Sequence, residues 1–182
     1  MSIATVANGL QGLAVARFVS QAPWAFPVVE TVHVIAISLV VGSIAVVDLR
    51  LLGLWWRERP VVQVADELLP WTWAAFVVAA VAGGLMFISA AVKYVTDPPF
   101  QLKILLLVLA GVNMLVFHYG AYRRVADWAE GRTPRAAKIA ASLSLAFWIA
   151  IVACGRMVSF TTQDQFGPPP SASASVKAPT AG

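Results

Sequence analysis

Glu30, His33 and Asp48 share one long apolar stretch, and Lys103, Asn113 and His118 share another. Glu30 and Asp48 are eighteen residues apart, so on a helix they fall on one line, with His33 about 60° away. Lys103, Asn113 and His118 fall within one arc of roughly 140°. An ionisable residue at the centre of a membrane helix costs about 2.5–3.5 kcal/mol. Such residues face a bundle interior and mark ion pairs, proton paths or ligand sites. These six positions, with Arg50 beside Asp48, are therefore read first as a polar relay or as ion pairs. The expected pairs are Glu30 with Arg156 or Lys103, and Asp48 with Arg50, Arg123 or His118.

A second set suggests a cofactor. His33, Met86, Cys154 and Met157 are soft donors of the kind that hold Cu(I). Cys154 and Met157 are three residues apart and neighbours on a helix. The structural reading of the same residues is a small buried thiol and two flexible methionines filling a core. Haem b is the other candidate. His33 and His118 lie on two helices, but their depths differ by roughly 15 Å, too far for one iron. A His33–Met86 pair matches in depth, with Arg156 at the same end. Glu30 and His33 form one Glu-x-x-His motif, whereas a di-iron bundle needs two. Cys154 is the single cysteine, which excludes an internal disulfide and a CxxC motif. No serine–histidine pair or phosphate-cradling loop is evident, so a stand-alone enzyme is not expected.

The elements that must carry these residues follow from composition. Of 182 residues, 59% are hydrophobic and 12% charged. Soluble domains carry about 25% charged residues. Four stretches reach the roughly twenty residues that cross a bilayer. The expected fold is all-α, an integral membrane four-helix bundle with an N-terminal interfacial amphipathic helix over residues 1–21. The bundle covers residues 22–162, with spans at about 24–56, 69–95, 101–122 and 135–160. Residues 163–182 read as a disordered Pro/Ser/Ala-rich tail. Gly42-Ser43 and Gly83-Gly84 permit close helix contact. The net charge is +4. Arg57, Arg59, Arg123, Arg124, Arg132, Arg135 and Lys138 collect on one side, which assigns that side to the cytoplasm. The charge is thus a topology signal rather than a nucleic-acid footprint. Both termini would then be periplasmic, in a bacterial inner membrane.

The runs ETVHVIAISLVVGSIAVVDLRLLG, LPW, DPPFQLKILLLVLAGVNMLVFH and CGRMVSF carry a resemblance. Together they resemble a family of uncharacterised bacterial four-helix inner-membrane proteins, over roughly residues 22–160. The resemblance implies that Glu30, His33, Asp48, Arg50, Lys103, Asn113, His118 and Arg156 are recurrent polar positions. More distantly, the layout is similar to copper-resistance D membrane proteins and small b-type cytochrome subunits, which implies copper or haem b. It departs from the cytochromes in lacking histidines paired at one depth.

Three functions are carried forward. The first is a copper- or haem-handling electron-transfer component with a site around His33. The second is a small transporter or proton relay using Glu30, His33 and Asp48. The third is a non-catalytic subunit that anchors a larger complex. The expected partners are the lipid bilayer, a membrane or periplasmic protein and a second copy of the chain, with no nucleic acid.

Overall fold

The computed structural model describes residues 3–128 and 133–163. The described residues form seven α-helices: α1 (Ile3–Gln11), α2 (Ala14–Gln21), α3 (Ala25–Leu52), α4 (Val61–Ser89), α5 (Ala91–Thr96), α6 (Pro98–Tyr119) and α7 (Arg135–Gln163). A short 3-10 turn (Tyr122–Asp127) follows α6. Four of the helices, α3, α4, α6 and α7, are long and apolar enough to cross a membrane. The chain is a multi-pass, all-α membrane protein.

The ends of these helices obey local rules. Asp97 caps α6, its carboxylate accepting the Phe100 amide at 3.2 Å, and Pro98 and Pro99 fill the first turn. Gly53, at φ 75°, closes α3 in the left-handed conformation. Its amide donates to the Arg50 carbonyl and the Leu54 amide to the Leu49 carbonyl, the paired bonds of a Schellman ending.

Several boundaries differ from the sequence expectation. The second span, expected at 69–95, is carried by α4, which starts after Pro60 and holds Pro70 in its interior. At the far end Ala90 (φ −143°) interrupts the helix and sets α5 apart. The first span ends at Leu52, leaving Trp55 and Trp56 in the following turn. The single N-terminal helix is two, with Gly12 and Leu13 between them. Both pack on the bundle: α1 on α5 and α4, α2 on α4 and α3. Ala16 and Val19 of α2 are buried there. The tail expected from residue 163 lies outside the described residues, except that Gln163 closes α7. Arg132 also lies outside them.

Packing follows the logic of a lipid environment. Large aliphatic side chains such as Leu39, Val81 and Val116 face outward, while the interior is built largely from alanine. Ala36 on α3 and Ala75, Ala79 and Ala82 on α4 are buried. Lipid is as apolar as leucine, so close backbone approach, rather than hydrophobic burial, holds such helices together. α3 packs most extensively on α4, α6 on α7, and α3 against α7 joins the two pairs. α4 and α6 make no substantial contact, and α5 bridges them at one end. The two ends are called below the α5 end and the basic end, the latter carrying Arg57, Arg59, Arg123, Arg124, Arg135 and Lys138.

Candidate functional site

His33 lies eight residues past the start of α3, about 12 Å along its axis from the α5 end. Its ring rests on Gly83 of α4, where an added Cβ would stand 2.7 Å from Cε1. Only glycine admits the ring there. Nδ1 lies 2.7 Å from the Ala79 carbonyl oxygen. A carbonyl can only accept, so this geometry assigns the proton to Nδ1 and leaves Nε2 with a lone pair. His33 is thus a fixed ring inside the bundle, and in its neutral form Nε2 is the acceptor.

Lys103 enters the same region from α6. Its ammonium lies against Gly155 of α7, 3.7 Å from where a Cβ on that residue would be, an ordinary contact distance. It is within electrostatic reach of both His33 and Cys154. Among the described residues it forms no ion pair; the pair the structure holds is Arg59–Glu67, far off at the basic end. The expected ion pair of Lys103 with Glu30 does not form. Glu30 instead bears on Tyr94. Arg156, the alternative partner, is exposed and lies over the Phe160 ring at 5.4 Å.

Phe87, Tyr94 and Phe100 close this region towards the α5 end. Phe87 and Phe100 stack at 5.5 Å, and Tyr94 lies 5.2 Å from Phe100. Phe87 stands one turn beyond Gly83, and Phe100 one turn before Lys103, so the cluster sits above the His33–Lys103 pair. Tyr94 is buried on α5, and burial, with Glu30 and Asp97 adding to it, pushes its hydroxyl above the usual tyrosine range.

A separate polar layer lies nearer the basic end. Asp48 is buried against α7, with Ser144 beside its carboxylate. Asn113 of α6 donates to the Ala140 carbonyl at 2.9 Å. Between His33 and Asp48, the residues of α3 that are buried are Ala36 and Val40, which carry no exchangeable proton. Ser43 lies half-buried below them, accepting from the Thr72 hydroxyl at 2.7 Å. The polar stripe of α3 is therefore divided into two layers. The expected pairing of Asp48 with Arg50 does not occur: the Arg50 Nε donates to the Arg59 carbonyl at 2.6 Å. His118 is exposed and stacks on Tyr122, ring centroids 5.6 Å apart, so it pairs with neither Asp48 nor His33.

The donors expected to hold copper do not converge. Cys154 is buried, Met86 is half-buried, and Met157 is 56% exposed on the outer surface of α7. Three residues of spacing still separate two side chains by about 60°, enough to turn one of them out of a narrow interior stripe. Among the described residues no three His, Cys, Asp or Glu side chains are grouped to hold an ion. His118, about 30 Å along α6 by helix rise, is also too deep to share an iron with His33. Met157 thus stands apart from the other soft donors, and His33 and His118 do not share a depth at which one iron could bridge them.

A family model spans residues 25–161, from the first residue of α3 to the last turns of α7. The chain belongs to the family of unknown function DUF6644. No curated protein and no solved structure matches it. The DUF6644 region contains all four spans and both polar layers, and it excludes α1 and α2. Several parts of the candidate site in this DUF6644 protein were not found from sequence. Ser144, Thr72 and Gly155 belong to no motif or spacing that marks them in the sequence. The Phe87–Tyr94–Phe100 cluster joins three helices, and no local pattern announces it.

Proposed function

We propose that this protein holds a membrane-soluble ligand inside the bundle by its polar headgroup, between His33 and Lys103. The carrying observation is the Lys103 ammonium, inside a membrane bundle, with no carboxylate paired to it among the described residues. A cation inside a membrane bundle is costly unless something answers it. His33 supplies only an acceptor, because its Nδ1 proton is committed to Ala79. The missing group therefore accepts from Lys103 and donates an O–H to His33 Nε2. A quinol headgroup has this pattern, an oxygen acceptor and a hydroxyl donor on one ring. The electron-transfer reading of the sequence survives in this form, as a lipid-soluble carrier in place of a bound metal. The weak contact between α4 and α6 supports lateral access from lipid, beneath the aromatic cluster. The surplus of Lys and Arg at the basic end supports a cytoplasmic location for it, with the His33 site in the opposite leaflet.

The test is binding of short-chain quinone and quinol to the detergent-purified protein, followed by tryptophan fluorescence. Lys103→Met is expected to weaken binding by about tenfold or more, the loss of one charge-assisted hydrogen bond. The same variant is expected to be more thermostable, because it removes an unanswered cation. No binding by the parent protein, or binding indifferent to both Lys103→Met and His33→Phe, would overturn the proposal.

A further inference from the structure

The second polar layer is not used by the His33–Lys103 site, and it contains an unsatisfied group. Asp48 is 6% exposed, and its Oδ2 has no hydrogen-bond partner. Ser144 lies beside the carboxylate, yet Oδ2 accepts from no group. The charged and titratable groups around it are engaged or turned away. Arg50, on the same helix, is committed to the Arg59 carbonyl. Glu67 of α4 pairs with Arg59, and Asp66 is exposed. His118 of α6 is exposed, as are Arg135 and Lys138 at the start of α7. Asn113 meets α7 in the same turn as Asp48 does: the Ala140 carbonyl, which accepts its amide, is the one that faces the Ser144 amide in an α-helix. One N–H of its Nδ2 is used there, which leaves its Oδ1 as an acceptor and a second N–H as a donor.

An isolated ionised carboxylate in low dielectric is too costly to persist, and burial of a charge is tolerated only with a counter-charge or a bound cation. No protein counter-charge pairs with Asp48 among the described residues. Asp48, Ser144 and Asn113 bring oxygens able to accept or to ligate a cation from three helices. We propose that Asp48, with Ser144 and Asn113, forms a monovalent-cation site that takes up and releases a proton or a sodium ion within the membrane. The buried Ala36–Val40 segment separates it from His33, so it exchanges with the basic end.

The test is modification of the full chain in detergent by dicyclohexylcarbodiimide, which adds to protonated carboxyls, read by peptide mass spectrometry. Asp48 is expected to be labelled at low pH, with the rate falling about tenfold per pH unit once the carboxyl ionises. Asp48→Asn removes the labelled peptide, and Asp48→Glu retains it, which separates loss of the site from loss of the fold. Ser144→Ala is expected to move the midpoint of the pH profile by about one unit, the free energy of one hydrogen bond. A purely structural carboxylate would not show that movement. Slower labelling in sodium chloride than in choline chloride at one pH identifies sodium as the cation; equal rates identify the proton. An unlabelled Asp48 at every pH, or a rate independent of pH, overturns the proposal.

Discussion

The basic end of the bundle and its interior treat polar groups in opposite ways. At the basic end Arg50, Arg59 and Trp128 each have a partner. Arg50 is buried but donates to a carbonyl, Arg59 holds Glu67 through both guanidinium nitrogens at 3.1 and 3.2 Å, and the Trp128 indole donates to the Ala121 carbonyl. Leu51, Val61, Ala137 and Ala141 pack into a buried cluster beside them. In the interior, Lys103 lacks a carboxylate and Asp48 has an oxygen without a partner. Satisfied polar groups fix register; unsatisfied ones have a cost that folding alone does not explain. The difference separates polar residues that build the protein from those available to bind something.

The largest effect that sharpens this comparison is at Arg50. Replacing it by alanine removes a charge-assisted hydrogen bond from a buried site and is expected to cost about 1.5–3 kcal/mol in unfolding measurements in detergent. Glu67→Ala, which breaks a pair whose side chains are 42% and 47% exposed, is expected to cost less than about 1 kcal/mol. Equal losses would mean that the basic end is not ordered by its buried contacts.

Next come two adjacent glycines. Gly83→Ala puts a Cβ 2.7 Å from the His33 ring and is expected to destabilise by about 1–3 kcal/mol while disturbing the His33–Ala79 bond. Gly84 meets nothing within 4 Å, so Gly84→Ala is expected to be neutral or to gain up to about 1 kcal/mol from helix propensity. If the two behave alike, His33 is not held against α4 as described.

The smallest effect concerns Tyr94. Its hydroxyl ionises above the usual range in the folded chain, mainly through burial. The unfolded chain releases this proton first, near the ordinary tyrosine value of about 10, so stability is expected to fall as pH rises beyond that point. Tyr122 is shifted the same way by burial and by Asp66, so Tyr94→Phe should flatten only part of the slope. An unchanged slope in Tyr94→Phe would mean that the aromatic cluster does not shield its hydroxyl.

Much of this molecule could be read from composition and local sequence. A run of twenty apolar residues has few alternatives to a membrane helix, because backbone groups in lipid must be satisfied within the segment. Asp97-Pro98-Pro99 and Gly53 set helix ends through their own dihedral and capping preferences, and the structure uses both. The interior-facing character of His33 and Asp48 was also legible, since charge and imidazole are expelled from lipid contact. Pro70 misled the boundary of the second span because a proline tolerated inside a long helix reads like one that begins it.

What the sequence determined by itself is therefore the class of fold, its four spans and the stock of polar residues available to the interior. What only the tertiary structure decided is which of them meet. Wheel angles fix a side chain's direction about its own helix, but not which helix stands opposite or at what height. That choice rests on small-residue contacts distributed along whole helices, such as Gly83 under His33 and Gly155 beside Lys103. It put Lys103 beside His33 with no acid to pair it, turned Met157 outward, and left one oxygen of Asp48 unanswered.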